Sequence, residues 1–389
     1  MAEQPTACPL ATMPTEVLCM IGDNLSHHEI RNTTLVSKRL RQLFLPRICK
    51  QLKFSGNMEQ LENGFHFYFA AETTPFRDVV HRHTRYVTFN TKSFDTIDHM
   101  RAWFINSQIS VLQIGKFLID TPNLQHVTFN TRLEESQESV IFQHLTKGGP
   151  RWPSFRTLTF GSPTDDAWLI GTIINKVGLG SLEAISGGFQ MFLVDPKILN
   201  FGCANVTSLC LKKQYNTRGL LWDELSLEIL DDDLLEQLKK LFPELESLIL
   251  DEGIQDYSVR NVTLLDSELL YLMIDEAVYK LREMPRLRRF AFTLDTDRLE
   301  PCAINELEED FLLMLSDEII QDYEVNGQDG FYNLLIRYLF ICLPNLEELC
   351  VTSRHPVCYH GRVTSGGMIV SRQSLDDPDM KYTFPNAII

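Results

Sequence analysis

Apolar positions along the chain follow two rhythms, and each predicts a different element. The first occupies the N-terminal part. Val17, Leu18, Ile21 and Leu25 recur at helical spacing, as do Leu35, Val36, Leu40, Leu43 and Phe44, and then Ile48 and Leu52. Such spacing predicts short amphipathic helices. Pro14 suits a first helical position, where the missing N–H needs no partner, and Glu16 favours the positive end of the helix dipole. Gly22-Asp23-Asn24 ends the first helix, and Ser26 is expected to cap a second through Ile30, with Thr33 or Thr34 capping a third. Pro46 is expected to restart the chain, and a capping helix rich in Phe and Tyr is predicted from Met58 to Phe76.

The second rhythm is φ-x-x-φ-x-φ, with φ mostly apolar. It occurs as LQHVTF from Leu124, FRTLTF from Phe155, LEAISG from Leu182, VTSLCL from Val206, LESLIL from Leu245, LRRFAF from Leu287 and LEELCV from Leu346, with a weaker copy, TRYVTF, from Thr84. Pro122, Pro153, Pro243, Pro285 and Pro344 each stand two residues before an anchor. A proline there stops a preceding helix and delivers the chain extended. Helical patterns fill several gaps. One opens at Asp165-Asp166 and runs to Gly178, one opens at Asp231-Asp232-Asp233, one runs from Asp266 or Ser267 to Arg282, and the last spans about Phe331 to Leu343.

Helix, proline and short strand in alternation predict an α/β fold built as a solenoid with a parallel sheet. The body resembles a divergent leucine-rich repeat. Its anchors lie 31, 27, 24, 39, 42 and 59 residues apart from Leu124 to Leu346, so the later units carry insertions. The resemblance implies that the anchor, +3 and +5 side chains enter the core while +2 and +4 line a concave face. The candidate substrate-binding residues are then His126, Thr128, Thr157, Thr159, Ser208, Cys210, Ser247, Ile249, Arg289, Ala291, Glu348 and Cys350.

Charge separates the two rhythms. The chain of 389 residues has a net charge of -16; residues 1–55 hold seven Lys/Arg and four Asp/Glu, a balance of +3, which leaves -19 for the remainder. An acidic body argues against a broad nucleic-acid surface, which needs clustered cations. Nine cysteines without a C-x-x-C pair read as reduced thiols. Pro9 and Pro14 interrupt the apolar N-terminal stretch, which argues against a signal peptide. The most apolar run, LLIRYLFICL at Leu334–Leu343, is too short for a membrane span and contains Arg337. A soluble protein of the cytoplasm or nucleus is expected.

The N-terminal helices resemble an F-box. Met13-Pro14, Glu16-Val17-Leu18, Ile21, Leu25, Glu29-Ile30 and Leu35-Val36-Ser37-Lys38-Arg39 match its residue types, order and spacing. Met13 replaces the usual Leu, Glu29 the frequent Asp and Ser37 the frequent Cys; the Trp often found later is absent. The resemblance implies binding to Skp1, the adaptor of cullin-based ubiquitin ligases, through Met13, Pro14, Val17, Leu18, Ile21, Leu25, Ile30, Leu35, Val36 and Lys38. The expected organisation is a tail at 1–9, the F-box-like helical module at 10–55, linking and capping helices at 56–80, the repeat body at 81–353 and a loop-like tail at 354–389. The expected function is substrate recognition for a cullin-type (SCF) ligase, the head holding Skp1 and the body an unidentified substrate protein. Alternatives are a Skp1-binding scaffold without a cullin and an α/β hydrolase.

Candidate chemistry is sparse. His355, Cys358 and His360 are zinc-compatible types, but a structural site needs four ligands at standard spacing. His81-Arg82-His83 reads as a solvated helix end. Gly178-Leu179-Gly180-Ser181 follows a helix rather than a strand, the reverse of a phosphate loop. Nine Cys and ten His permit many pairings, and spacing singles out none. No catalytic residue, metal or cofactor is expected, and neither nucleic acid nor membrane is expected as a partner.

Overall fold

The computed structural model describes residues 13–56, 58–70, 74–91, 114–130, 152–160, 182–188, 205–212, 232–251, 267–294, 315–353 and 357–374. The helix expected after Asp165, the glycine pair after Gly178, His355 and Ala167 to Val177 lie outside those residues. The chain is α/β and divides into two compact units, residues 1–131 with 136–156, and residues 132–135 with 157–389.

The first unit opens with three helices, α1 (Thr15–Asp23), α2 (His27–Thr33) and α3 (Lys38–Ile48). Ser26 caps α2 through a full capping box with Glu29. The third cap is Ser37, which accepts from the Leu40 amide, and not Thr33 or Thr34. Those threonines instead bond back to carbonyls of α2, Thr33 to Glu29 and Thr34 to Arg31, a local competition typical of hydroxyl side chains. Pro46 lies inside α3, near its end, without restarting the chain. Leu18, Ile30, Leu40 and Phe44 form the core of this helical part, with Met13, Leu25, Leu43 and Ile48 packed around it.

Leu52 does not continue a helix. It belongs to β1 (Gln51–Gly56), whose residues alternate between outward Gln51, Lys53 and Ser55 and the more enclosed Leu52 and Phe54. Helices α4 (Met58–Phe69) and α5 (Thr74–His83) occupy the stretch expected to hold linking and capping helices, and the helix that starts at Met58 ends at Phe69 rather than Phe76. Strands β2 (Tyr86–Thr91) and β3 (His126–Asn130) follow, and β1, β2 and β3 pair parallel in that order. Phe54 stacks on Phe65 of α4 at 4.7 Å and on Phe89 of β2 at 5.5 Å, and Phe89 stacks on Phe129 at 5.3 Å. An aromatic ladder therefore fills the helix side of this sheet.

The second unit contains β4 (Thr157–Phe160), β5 (Ala184–Gly188), β6 (Ser208–Lys212), α6 (Asp232–Leu241), β7 (Ser247–Asp251), α7 (Ser267–Arg282), β8 (Arg289–Thr293), α8 (Asp317–Cys342) and β9 (Glu348–Thr352). Strands β4 to β9 pair parallel in chain order. Helix α8 begins well before the expected Phe331; a non-helical residue, Gly327 at φ 54°, breaks it. Within the tail expected to be loop-like, residues 357–374 are strands: β10 (Val357–Thr364) and β11 (Gly367–Ser374) form an antiparallel hairpin on β9, turning at residues 365–366.

Every strand from β2 to β9 starts at the +2 position of its sequence copy, and the anchor, +3 and +5 residues that are described are buried. In four copies the anchor amide closes a turn whose second residue is the proline: Phe155 to Trp152, Leu245 to Phe242, Leu287 to Met284 and Leu346 to Leu343. Pro fits that turn position because its φ is preset. A second regularity joins neighbours. The +1 and +2 amides both donate to the +1 carbonyl of the preceding copy, as in Arg85 and Tyr86 to Lys50, Gln125 and His126 to Arg85, and Glu246 and Ser247 to Thr207. The first of these identifies a copy missed in the sequence pattern, CKQLKF from Cys49, which supplies β1. Among the described residues no helix is long and apolar enough to cross a membrane.

Candidate partner-binding surfaces

The helical part of the first unit leaves apolar side chains in solvent. Val17 is 41% exposed, Met20 67%, Leu35 73% and Val36 68%, and Pro14 and Lys38 are exposed beside them in sequence. Val17 and Met20 lie on α1, and Leu35 and Val36 stand between α2 and α3. Their backbone is held in place by ties between α1 and α3. The Arg39 guanidinium donates to the Met13 carbonyl at 2.7 Å, and Arg47 donates to the Cys19 carbonyl at 2.9 Å while pairing with Asp23 at 2.7 Å. The side-chain and backbone hydrogen bonds from Ser26 hold the Glu29 carboxyl below the usual range, so it is a cap, not a reactive group.

This geometry corrects the sequence-derived contact set. Leu18, at 1% exposure, and Ile30 are the core of the helical part and face no partner. Met13, Ile21 and Leu25 are half-buried, Met13 and Leu25 against that core. The physical reason is that a helix of this length has one inward stripe, and Leu18 lies on it with Gly22, four residues on. Met20, absent from the sequence-derived set, is on the outward side.

The sheets offer a second kind of surface, and the two units differ. In the second unit Cys210, Ile249, Ala291, Cys350 and Cys358 form one buried apolar cluster, and Ser186 and Ser247 are buried with 1% and 5% exposure. Cys210, Ser247, Ile249, Ala291 and Cys350 were expected on an open face and are instead inaccessible. The parallel register explains this: +4 residues of adjacent strands stand side by side, Cys210 beside Ile249 beside Ala291 beside Cys350, so small apolar side chains merge into a single row. Thr157, Thr159, Ser208, Arg289 and Glu348 remain half-exposed, and Glu348 pairs with Arg362 at 2.8 Å.

In the first unit the corresponding face is polar and none of its described residues is buried. The register sets Gln51 beside Tyr86 beside His126, Lys53 beside Thr88 beside Thr128, and Ser55 beside Asn90. Tyr86 and His126 stack at 4.4 Å with an interplanar angle of 2°. Gln51, Lys53, Ser55 and Tyr86 are exposed; Thr88, Asn90, His126 and Thr128 are half-exposed.

Reactive geometry is scarce. The register sets Cys350 opposite His360 on β9 and β10. Both are buried, the Cys350 thiol is pushed well up by its hydrogen bond with Cys358 and by burial, and desolvation lowers His360. That arrangement keeps the thiol protonated in the core, unlike a nucleophile, which works as thiolate. Burial likewise pushes Cys49 up to about 11. Among the described residues no group of three or more His, Cys, Asp or Glu side chains could hold a metal ion. His81 is half-buried at the end of α5 rather than solvated, and desolvation lowers it.

No protein-family model matches the chain, and no curated protein matches it.

Proposed function

We propose that the chain is a substrate-recognition adaptor of a cullin-type ubiquitin ligase, with an F-box-like helical head that docks on Skp1 and a leucine-rich-repeat-like solenoid that holds a substrate protein. The observation that carries this reading is the exposed apolar set Pro14, Val17, Met20, Leu35 and Val36 on a small helical head whose own core is already complete. Such side chains have no packing role within the head, and burial against a partner is their physical use. The head passes directly into the repeated strands. Thr84, wholly buried, donates to the Cys49 carbonyl at 2.8 Å, so the end of the head also serves as the first repeat. Within each unit, successive strand copies that bury each other's faces support the solenoid reading. The role requires no chemistry from the chain itself.

Affinity purification of the full chain from cells, with the proteasome blocked, tests this. Skp1, a cullin and ubiquitin-modified proteins should co-purify together. Skp1 without a cullin would make the chain a scaffold, and neither would remove the adaptor reading.

A further inference from the structure

We infer that the polar face of β1–β3 binds an acidic, extended peptide segment, and that this face, rather than the sheet of the second unit, is where a substrate is read. The inference rests on the adaptor reading only in calling the bound peptide a substrate. Three observations carry it.

The first is access. The +2 and +4 rows of β1, β2 and β3 are exposed or half-exposed throughout, whereas the +4 row of β5 to β9 is buried. In the first unit a peptide has both rows to lie on, whereas in the second the +2 row is half-exposed except at buried Ser247 and the +4 row of β5 to β9 is closed.

The second is chemistry. The described side chains on that face are Gln51, Lys53, Ser55, Tyr86, Thr88, Asn90, His126 and Thr128, with no carboxylate among them. Hydroxyl and amide groups can bond an extended backbone, and the flat Tyr86–His126 pair gives an apolar platform for one side chain.

The third is charge. The row of +1 residues at the start of the strands reads Lys50, Arg85, Gln125 and Arg156 in the first unit, but Glu183, Thr207, Glu246, Arg288 and Glu347 in the second. Lys50 and Lys53 are exposed, and among the described residues neither forms an ion pair with a carboxylate; Lys50 extends over the Tyr86 ring, 6.0 Å from its centroid. The whole chain carries a net charge of -16. An acidic peptide is repelled by the molecule as a whole and attracted here, so the strip selects both ligand and location.

The test is fluorescence anisotropy with the full chain and a fluorescein-labelled peptide of alternating Asp and Leu, with a Lys-Leu peptide as counter-probe. The acidic peptide should bind, weakening as salt rises. Lys50→Glu with Lys53→Glu should weaken it at least about tenfold, an effect of ~1.4 kcal/mol or more. Tyr86→Ala should weaken it without changing its salt dependence. Lys116→Glu makes the same charge reversal at a single residue on the helix side, where its ammonium sits over the Phe69 ring, and should leave binding unaltered, whereas Lys53→Glu alone should weaken it. Equal binding of the two peptides, or equal loss with Lys116→Glu, would overturn the inference. Skp1 capture by the same preparations separates the two claims. Capture without peptide binding removes this inference and spares the adaptor reading; peptide binding without capture does the reverse.

Discussion

Gly22 sets two physical effects of opposite sign against each other. It lies in the last turn of α1, where replacing Gly by Ala favours the helix by up to about 1 kcal/mol. A Cβ at Gly22, however, would collide with the ring edge of Phe44 and with the Arg47 guanidinium. Phe44 is 1% exposed and belongs to the head's core, and Arg47 is fixed by the Cys19 carbonyl and Asp23. Neither can move aside freely, and forcing extra volume into a packed core costs about 1–3 kcal/mol. Packing wins, so Gly22→Ala should destabilise the head by about 1–2 kcal/mol net of propensity. Gly64 is the matched control: it sits within α4, and a Cβ there meets nothing within 4 Å. Gly64→Ala should therefore stabilise by about 0.5–1 kcal/mol. A chain of two units has no single unfolding free energy, so the assay is native-state hydrogen exchange resolved to α1, α3 and α4. Protection of α1 and α3 should fall roughly 5- to 30-fold in Gly22→Ala, while α4 gains protection in Gly64→Ala. If Gly22→Ala raised protection as Gly64→Ala does, the close crossing of α1 on α3 would be wrong.

Leu18→Ala should cost about 2–5 kcal/mol, as buried Leu truncations do, while Val17→Ala, at an exposed neighbour, should change stability by less than ~0.5 kcal/mol; exchange in α1 measures both, and equal effects would reverse the inward and outward sides of that helix. Thr84→Val removes the buried bond to the Cys49 carbonyl and should cost about 1–3 kcal/mol, because the carbonyl is left unsatisfied; unchanged exchange at the start of β1 and β2 would show that the bond does not join the first two repeats. Side-chain hydrogen bonds from Lys239 and Lys240 lower the Glu236 carboxyl from 4.5 to about 2. Its contribution to α6–α7 packing is thus present above the ordinary carboxylate value and is lost as pH falls through about 2. A carboxyl NMR titration should find that midpoint, with a return toward the ordinary value in Lys239→Ala; a native midpoint near 4.5 would refute the pairing.

Where side-chain pattern and backbone signal coincide, the fold was legible. Proline two before an anchor both ends a helix and fits the second position of a turn, so Pro153, Pro243, Pro285 and Pro344 located the strands that follow them. The copy beginning at Cys49 was hidden because Ile48 and Leu52 also satisfy a helical spacing, and short apolar runs do not distinguish the two periods. The β10–β11 hairpin was hidden because exposed Arg362, Val363 and Ile369 break the apolar alternation of an ordinary half-buried strand. In the head, spacing located the helices but not which apolar residues turn inward. Leu18 and Val17 are adjacent and chemically alike, and only packing against Phe44 separates core from surface. On the sheet, a +4 rule learned from repeats in general marks a face, yet whether that face is open depends on what the side chains do together. Thr88 beside Thr128 stays in contact with solvent; Ile249 beside Cys210 does not.

Skp1 capture by the full chain, compared with a Val17→Glu, Leu35→Glu variant, tests the adaptor claim most directly. Both residues are exposed, so the variant keeps its fold, which hydrogen exchange of α1 to α3 verifies in the same preparation. The adaptor reading predicts that the unmodified chain retains Skp1 through purification and that the variant loses it with head protection unchanged. Retention of Skp1 by the variant, or no capture by the unmodified chain, would contradict it.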